Sequence, residues 1–502
     1  MRRTTRAYLR KVVVLGLLCF GVLFAVHHWS VSGTSRRRTT ARPGTVQDFA
    51  ETLKVSVRVE KNLQLHVSGS SHVREVTLTN NGTSDFPSQD WEIFFTQIYI
   101  PLIGLVDHPE MKLSHVQGQV YMFSPRPGFK GIPPGGVYRF TYESNGNSLV
   151  YTDTFPNWYL TYKGSYPYVL ESTRGDPAKF MEIQNTPQSW KASSDQSSYD
   201  FDHHNPPTSA DRYTRDSVQD LGTDPIPVIP TPLEVEKFKK ETAINMHRNS
   251  WVIVGDSSFL SEMEFLAHAW QLKISASEPY KYYIKLKKAK VSFSTNVAIH
   301  HEEAYSLEVS PAASTITITA NKPAGAFNAV QSLIALRNTE GKIPSVVIHD
   351  APRFKYRGLM LDVARNFHSK ETIMRLIRLM AMYKLNKLHL HLTDDEGWRI
   401  EIPGLEELVS VGSRRCHDVA ETECLLPFLG SGPRSHNVGT GYYTVSDYQE
   451  ILAYAVRHHI EVIPEVDVPG HAHAAVVAMK QRYLKTGSSK YGYMDMKSNL
   501  IK

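Results

Sequence analysis

Lys387–Glu401 reads KLHLHLTDDEGWRIE, a strand of alternating leucines and histidines that runs directly into three acidic residues and a tryptophan. Because successive side chains of a strand point to opposite faces, the leucines share one face, and His389 and His391 share the other. Polar side chains within a strand and carboxylates at its carboxyl end are typical of an α/β barrel, whose sites lie where strands pass into loops. The stretch therefore predicts a barrel strand with a polar site at its end.

Strands and helices alternate on both sides of this stretch. Gly358–Val363 precedes it as an apolar strand, and Ile460–Val466 follows it as a third strand. Ser369 and Thr444 can cap the two intervening helices, in which apolar residues recur at helical spacing. This alternation predicts parallel strands in a barrel or a doubly wound sheet. A closed eight-stranded barrel needs about 250 residues, so 351–502 is too short to form one and is expected to be incomplete.

A polar cluster follows each of the three predicted strands: Asp362–His368, His391–Arg399 and Glu465–His473. The carboxyl ends of consecutive parallel strands lie at one edge of a sheet, so we expect the three clusters to converge. A parallel sheet is usually buried on both faces, and polar groups gathered at its edge require a functional or an ion-pair explanation.

Several of these side chains have two interpretations. Arg365 can bind sugar hydroxyls through its bidentate fork, or it can form a buried ion pair with Asp394 or Asp395. Trp398 can form a wall on which a sugar ring stacks, or a hydrophobic lid. His471, after Pro469-Gly470, can orient a carboxylate or cap a turn.

His389 and His391 raise the alternative of a metal site, because paired strand histidines bind metals in some hydrolases. They precede the end of the strand, however, and the sequence shows no clear third ligand. We therefore expect no metal here.

Two further units precede the strand–helix region. Alternating apolar residues and Gly/Pro punctuation predict a β-sandwich over residues 50–170, with Glu60–Asn62 as the turn between its first two strands. Its many aromatic residues either fill the core or stack on sugars. A polar linker is predicted at 171–225, and an α+β unit at 226–350, whose last helix begins at Pro323.

The N-terminal segment 1–33 is predicted to be a targeting signal. Val12–Val26 comprises 15 apolar or glycine residues after a basic flank, which is shorter than the roughly 20 residues of a spanning helix. The segment is either a cleaved signal peptide or a retained type II anchor, and residues 34–49 are expected to form a disordered stalk. The chain is thus expected in the secretory pathway, either secreted or anchored, with this segment as its only membrane contact.

The remaining composition is that of a globular protein, with 41% hydrophobic and 21% charged residues. Much of the net charge of +6 comes from the first 42 residues, and no later segment combines dense Lys and Arg with aromatics, so a nucleic-acid partner is not expected. In an oxidising compartment Cys416 and Cys424 are expected to form a disulfide, the alternative being two free thiols. Asn81 begins the one clear glycosylation sequon.

Three motifs resemble the first three strand motifs of glycoside hydrolase family 20, the β-N-acetylhexosaminidases. They are RGLMLDVARNFHS (Arg357–Ser369), NKLHLHLTDDEGWRIEI (Asn386–Ile402) and IEVIPEVDVPGHAHA (Ile460–Ala474). The β-rich unit resembles the chitobiase-type carbohydrate-binding domain. Residues 226–350 resemble the small domain that precedes the barrel, and GAFNAVQSLIAL (Gly325–Leu336) is similar to its final helix. The resemblance implies a multidomain chain that ends in the first three βα units of a (β/α)8 TIM barrel.

The family resemblance also implies an activity. Such enzymes remove terminal N-acetylglucosamine or N-acetylgalactosamine from chitin oligosaccharides or glycoconjugates with retention, using the substrate's own acetamido oxygen and no metal or organic cofactor. By motif match, Arg365 would bind hydroxyls of the terminal sugar, and Asp394 and Asp395 would support that arginine and the substrate-binding site. Asp467 and His471 would support the acid/base residue.

The chain departs from the family in the part that follows the third strand motif. The catalytic Asp-Glu pair of the family follows the fourth strand, in a Gly-Gly-Asp-Glu-like motif, and no such motif follows His471. The resemblance therefore implies that the pair lies beyond Lys502 and that residues 1–502 alone lack activity. The alternative is a non-catalytic, secreted glycan-binding or chitin-binding protein of an extracellular matrix.

Overall fold

A computed structural model describes residues 45–65, 69–103, 108–182, 213–214, 226–247, 250–294 and 298–487. The predicted targeting signal, and most of the predicted stalk and linker, lie outside these residues. Within them an all-β, an α+β and an α/β unit follow one another in the predicted order. None of the helices in these ranges combines the length and the apolar character needed to cross a membrane.

The first unit is a sandwich of two antiparallel sheets around one apolar core. Its strands are β1 (Leu53–Leu65), β2 (Gly69–Asn80), β3 (Trp91–Thr96), β4 (Met111–Gln117), β5 (Val120–Pro125), β6 (Val137–Asn145), β7 (Tyr159–Tyr162) and β8 (Tyr168–Val169). One sheet has the order β1-β2-β6, and the other has the order β4-β5-β3-β7-β8. Alternation along β1 buries Val55, Val57 and Val59 between the sheets. Most aromatics of the unit are buried in this core.

The predicted stalk is wrong at its C-terminal end. Residues Val46–Thr52 form a helix, α1, whose N-cap is Thr45. Phe49 and Ala50 are buried in the sandwich core. A cap and two apolar anchors thus make this segment part of the domain rather than part of the stalk.

The start of the predicted linker is also wrong. Phe180 and Met181 lie in the sandwich core, and the Val57 amide donates to the carbonyl of Phe180 at 2.8 Å.

The expected turn at Glu60–Asn62 is absent as well, because β1 continues through a bulge between Val59 and Lys61. An extra residue in one strand lets the ladder continue where the sequence suggests a break.

The middle unit is a seven-stranded mixed sheet packed against two helices. The strands are β9 (Glu234–Asn245), β10 (Val252–Gly255), β11 (Lys273–Ile274), β12 (Tyr283–Lys288), β13 (Tyr305–Ser310), β14 (Thr315–Ala320) and β15 (Lys342–Asp350), in the order β11-β10-β12-β14-β13-β15-β9. The helices are α2 (Leu260–Trp270) and α3 (Pro323–Leu336), which share one buried cluster with the sheet. Helix α3 begins at Pro323, as predicted, because proline has no N–H group to leave unsatisfied in the first turn.

Three parallel strands form the sheet of the last unit. They are β16 (Gly358–Asp362), β17 (Lys387–His391) and β20 (Glu461–Glu465), in the order β16-β17-β20. The segment from β17 to β20 also contains the short hairpin β18 (Thr393–Asp394) and β19 (Gly397–Trp398). The helices are α4 (Lys370–Met382), α5 (Glu407–Ser410), α6 (Val445–Arg457) and α7 (His473–Thr486). The leucines of the KLHLHL strand are buried against α4 and α6, on the predicted face.

Burial on both faces, expected of a parallel sheet, does not extend to β16. Leu359 and Met360 are 38% and 49% exposed. Within the described ranges, nothing covers these side chains fully. The face that carries His389 and His391 is nevertheless occupied by polar contacts, as described below.

The sandwich packs directly on the α/β unit. Phe94 and Tyr159 stack with ring centroids 5.0 Å apart, in a cluster that also contains Phe428 of the α/β unit. Glu421 adds a polar contact, because its Oε2 accepts from Gln117 Nε2 of β4 at 3.0 Å and lies 2.9 Å from His473 Nε2 of α7. The two domains therefore share one interface with an apolar and a polar part.

A buried ion pair joins the middle unit to the α/β unit. Lys384 follows α4, its side chain is 8% exposed, and its Nζ lies 2.9 Å from both Asp350 Oδ2 and Tyr305 Oη. Burial lowers the pKa of Lys384, and the Asp350 carboxylate partly offsets this effect. The ammonium group thus depends on one carboxylate for its charge compensation.

We predict that Asp350→Asn lowers the thermal unfolding midpoint by the equivalent of roughly 3–5 kcal/mol, because it leaves a buried cation without its counter-charge. The double variant Asp350→Asn/Lys384→Met should recover most of this loss, since both charges are then removed. Glu340→Gln, which breaks the exposed Lys342–Glu340 pair, is the control and should leave the midpoint unchanged. Equal midpoints for Asp350→Asn and this control would contradict the prediction.

Candidate active site

The register of the three parallel strands aligns three polar residues at their carboxyl ends. Asp362 is paired with His391, and His391 with Glu465. The β18–β19 hairpin follows β17 directly and places Asp394 at the same edge of the sheet. The three polar clusters therefore converge, because parallel strands in register bring their carboxyl ends together.

Arg365 lies at the centre of this convergence. Its guanidinium contacts three carboxylates, namely Asp362 (Nη1–Oδ2, 2.8 Å), Asp394 (Nη2–Oδ2, 2.5 Å) and Glu396 (Nε–Oε2, 3.4 Å). The side chain is still 34% exposed. Burial alone would lower the pKa of Arg365, but the surrounding carboxylates outweigh it and raise the pKa. Arg365 therefore forms the ion pair with Asp394 that the sequence suggested, and its side chain also remains partly accessible.

Asp394 connects the three strand ends. Its carboxylate is 1% exposed and accepts from Arg365, while His391 Nε2 lies 2.7 Å from Oδ2 and His471 Nδ1 lies 3.1 Å from Oδ1. The backbone N–H of Asp395 donates to the same carboxylate at 2.7 Å. A buried carboxylate with these partners fixes the position of the arginine, which is the supporting role expected of Asp394.

Asp395 does not support Arg365. In the described part of the chain its carboxylate forms no ion pair with that arginine, and its Oδ1 instead accepts from the backbone N–H of His473 at 3.0 Å. Glu396, which the sequence analysis assigned no role, contacts Arg365 in its place. Consecutive residues of the hairpin point in different directions, so adjacency in the sequence did not predict which acid meets the arginine.

His391 lies between two carboxylates. Its Nε2 faces Asp394, and its Nδ1 lies 3.2 Å from Glu465 Oε1. Burial would lower the pKa of His391, but hydrogen bonding to the two carboxylates raises it overall. For Glu465 the two effects have the opposite signs. Burial would raise the pKa of Glu465, but the contact with His391 lowers this pKa overall. His389 also contacts Glu465, so this strand face carries a chain of alternating acids and histidines.

The third cluster contributes His471 and Asp467. The side chain of His471 is 58% exposed, and its Nδ1 lies 3.1 Å from Asp394 Oδ1, which is the contact that the carboxylate-orienting interpretation requires. The backbone N–H of Asp467 donates to Thr393 Oγ1 at 3.1 Å, which joins the end of β20 to the hairpin. Both residues therefore lie where they can support a group placed at this edge.

Among the residues that the structure describes, two groups of side chains have the composition of a cation site. They are His391, Asp394 and Asp467, and Asp394, Asp395 and His471, with potential ligand atoms within 4.8 Å of one another. Both groups share Asp394, whose carboxylate is already bonded to Arg365. Within the described residues, neither of these groups contains His389, so no candidate group includes both strand histidines.

Trp398 does not form a sugar-stacking wall. Its side chain is 9% exposed and lies in the cluster between the sandwich and the α/β unit. Its indole Nε1 donates to the carbonyl of Ile400 at 2.6 Å. Trp398 therefore anchors the hairpin in the core, which is closer to the lid interpretation.

Sequence reasoning missed two fully buried arginines beneath Arg365. Arg399 and Arg415 donate to backbone carbonyls around the strand ends. Burial lowers the pKa of Arg399 well below its usual value and lowers that of Arg415 to about 10. Arginines in an irregular connection carry no periodic signal, and their partners are backbone carbonyls, which residue type does not reveal.

Two features predicted for a secretory protein lie outside the three polar clusters. Cys416 and Cys424 are joined by a disulfide, with their Cα atoms 5.8 Å apart. Asn81 is exposed immediately after β2, so its side chain is accessible on the sandwich surface.

Three family models match the chain in succession. Residues 53–200 match a putative carbohydrate binding domain, 225–351 match domain 2 of glycosyl hydrolase family 20, and 354–500 match the catalytic domain of that family. These matches confirm the resemblance inferred from the three strand motifs.

Curated relatives match most of this chain. It is 36% identical over 423 residues to the N,N'-diacetylchitobiase of Vibrio harveyi, which covers 81% of this chain and 44% of the relative. It is 36% identical over 434 residues to a beta-hexosaminidase of Vibrio vulnificus, which covers 83% of this chain and 48% of the relative. The chain thus spans about half the length of these relatives.

A solved structure has a similar fold. It is the GH20 exo beta-N-acetylglucosaminidase of Vibrio harveyi in complex with N-acetylglucosamine, with a TM-score of 0.64 and 25% sequence identity. The similarity covers 86% of this chain and 59% of that one.

We predict that Glu396→Gln stabilises the protein near neutral pH and that the gain disappears in acid. Burial and the nearby Asp394 charge raise the pKa of Glu396 above its ordinary value of 4.5, despite the opposing effect of Arg415 and Arg365. The ionised form therefore costs stability above about pH 4.5, increasingly so up to the raised pKa, whereas below that pH both the folded and the unfolded chain are protonated.

Thermal unfolding midpoints from pH 3.5 to 8 test this prediction. Glu423→Gln, at an exposed position in the same connection, is the matched control and should follow the wild type at every pH. A gain for Glu396→Gln that does not change with pH would show that desolvation of its charge is not the cause.

Proposed function

Because the chain belongs to glycoside hydrolase family 20, we propose that it carries the sugar-binding part of a β-N-acetylhexosaminidase site. The observation that supports this proposal is Arg365, held by three carboxylates at the strand ends and one-third exposed. A guanidinium offers five donors in a rigid fork. Donors that are already oriented can bind hydroxyls of a terminal sugar ring with little further loss of entropy.

We propose that β16, β17 and β20, with their helices, are the first three βα units of a (β/α)8 barrel. The parallel order β16-β17-β20, with a helix after each strand, supports this architecture. Sites of such barrels lie at the carboxyl ends of the strands, which is the edge where Arg365 and Asp394 lie.

The reaction proposed is hydrolysis of terminal non-reducing N-acetylhexosamine with retention of configuration. In the substrate-assisted mechanism of this family, the 2-acetamido oxygen attacks the anomeric carbon while a glutamic acid protonates the leaving oxygen. A neighbouring carboxylate orients the acetamido group. The Asp-Glu pair of this mechanism is not among residues 472–502, which contain no Gly-Gly-Asp-Glu-like motif.

Each residue at the strand ends receives a role within this proposal. Arg365 binds hydroxyls of the terminal sugar, and Asp394 holds the arginine in place from a buried position. His471 and Asp467 support the acid/base residue, since His471 contacts Asp394 and keeps 58% of its side chain exposed. Asp395 positions the start of α7 through the His473 amide rather than contacting the sugar site through Arg365.

The substrate class proposed is chitin oligosaccharides and other glycans that end in N-acetylglucosamine or N-acetylgalactosamine. The names of the relatives, a diacetylchitobiase and a beta-hexosaminidase, support this class. The cheapest test is to read the coding sequence past Lys502. An in-frame Asp-Glu pair after a fourth strand supports the hydrolase, whereas a stop codon there favours the glycan-binding alternative.

We also propose that the protein enters the secretory pathway. The Cys416–Cys424 disulfide and the exposed Asn81 support this location. The predicted signal or anchor over 1–33 lies outside the described residues.

Expression in a eukaryotic secretory host should yield a product whose gel mobility increases on treatment with an N-glycosidase. Asn81→Gln should remove this shift, because the side chain is the exposed acceptor of the sequon. Asn80→Gln is unsuitable as a control, since Asn80 is buried and donates to the carbonyl of Ile132. Asn147→Gln, outside any sequon, should keep the shift. A shift that persists in Asn81→Gln would place the glycan elsewhere.

Arg365→Lys should lower kcat/KM on a chromogenic N-acetylglucosaminide by roughly 100-fold in the product of the complete reading frame. Lysine keeps the charge but loses the bidentate fork, and a charge-assisted hydrogen bond contributes about 1.5–3 kcal/mol. Arg375→Lys, on the exposed face of α4, is the control. Near wild-type kinetics for Arg365→Lys would show that Arg365 is structural, and activity abolished by a strong chelator would favour the metal alternative.

A further inference from the structure

We propose that Arg415 is a positioning residue of the sugar site, which acts by fixing the backbone that carries Arg365 and Glu396. The proposal rests on the proposed function, because it gives Arg365 the role of sugar contact. Arg415 lies in the connection between β17 and α6, 50 residues from Arg365 in the sequence. It reaches the strand ends from beneath, and its side chain is fully buried.

The guanidinium of Arg415 joins three separate chain segments. Its Nε donates to the carbonyl of Glu396 at 2.8 Å and its Nη1 to that of Phe428 at 3.3 Å. Its Nη2 donates to the carbonyls of Ala364, at 3.2 Å, and of Arg365. One planar fork therefore fixes the backbone of the arginine and of one of its acidic partners relative to each other.

The peptide groups on both sides of Arg365 are fixed in this way. Its backbone N–H donates to Asp362 Oδ1 at 3.0 Å, and its carbonyl accepts from Arg415. These two hydrogen bonds thus constrain the direction in which the Arg365 side chain leaves the backbone. A sugar contact needs this direction, because a displacement of about 1 Å can cost 10²-fold in rate.

Arg399 also binds the backbone just before Arg365. Its Nη2 donates to the carbonyl of Ala364 at 2.6 Å, and its Nε donates to that of Val363 at 3.0 Å. The Ala364 carbonyl therefore accepts from both buried arginines. Two guanidinium groups are therefore buried next to one short backbone segment. Burying two charges costs desolvation energy, so packing alone does not explain the arrangement.

Close packing by glycine shows that the backbone is built around these guanidinium groups. A Cβ atom at Gly439 would lie 2.6 Å from Arg415 Nη1, and one at Gly397 would lie 2.3 Å from Arg399 Nη2. Any larger residue at either position would push the guanidinium away from its carbonyl partners. Glycine at 439 thus gives an independent means of disturbing Arg415.

Charge compensation for Arg415 comes from the site itself. Burial lowers the pKa of Arg415, and the charges of Glu396 and Asp362 act in the opposite direction. Both carboxylates also contact Arg365. The two arginines therefore share their counter-charges. A change at Arg415 is expected to alter the electrostatic environment of Arg365.

The test combines kinetics with a double-mutant cycle in the product of the complete reading frame. Arg415→Lys keeps a charge but cannot bridge three segments, and it should lower kcat/KM by about 10–100-fold. If Arg415 acts through Arg365, adding Arg415→Lys to Arg365→Lys should cause no further loss. Losses that multiply in the double variant, or wild-type kinetics for Arg415→Lys, would overturn the proposal. Arg414→Lys, at the neighbouring position, is the control.

A second variant covers the case in which Arg415→Lys does not fold. Gly439→Ala adds one methyl group against Arg415 Nη1 and leaves the arginine in the chain. It should lower kcat/KM in the same direction while the protein remains folded by circular dichroism. A folded Gly439→Ala protein with unchanged kcat/KM would overturn the proposal.

A readout that does not depend on activity separates this inference from the proposed function. In protein labelled with ¹⁵N-arginine, the Arg365 Nε–H signal is assigned by its loss in Arg365→Lys. We expect Arg415→Lys, or Gly439→Ala, to shift or broaden this signal, and Arg414→Lys to leave it in place. An unchanged signal would overturn the positioning role, whereas an inactive wild type with a shifted signal would overturn only the hexosaminidase assignment.

Discussion

The buried charge of Asp394 is the constraint on which the arrangement at the strand ends depends. Taking a carboxylate out of water costs several kcal/mol unless it is paired and hydrogen-bonded. Asp394 meets this requirement with Arg365, His391 and His471, each of which comes from a different strand end. The three βα units must therefore be in register before the charge is compensated, which links correct folding of the sheet to formation of the site.

Strand and helix positions were largely predictable, because they depend on local periodicity. The leucines of the KLHLHL strand face α4 and α6 as expected, and α3 begins at Pro323. Convergence of the polar clusters followed from parallel register alone. Domain edges were less predictable, since Phe49-Ala50 and Phe180-Met181 are isolated apolar pairs in polar surroundings, and two adjacent residues give no periodicity.

The details of the site could not be predicted, because they depend on neutralisation in three dimensions. The sequence indicated two adjacent aspartates, but the hairpin β18–β19 directs Glu396 rather than Asp395 toward Arg365. Trp398 was expected to be either a stacking wall or a hydrophobic lid, and it is buried in a cluster that also contains residues of the sandwich. Arg415 lies in a connection without a periodic pattern, and its partners are backbone carbonyls, which no residue type reveals.

The Cys416–Cys424 disulfide closes a loop of eight-residue separation that contains Glu421, the residue that links β4 of the sandwich to α7. Closing so short a loop removes only roughly 2–3 kcal/mol of chain entropy from the unfolded state. Its larger effect is local, because it limits the conformations of the segment that begins at Arg415 and ends beside Leu425. Oxidation of one pair of thiols thereby connects the redox state of the surroundings to the alignment of two domains.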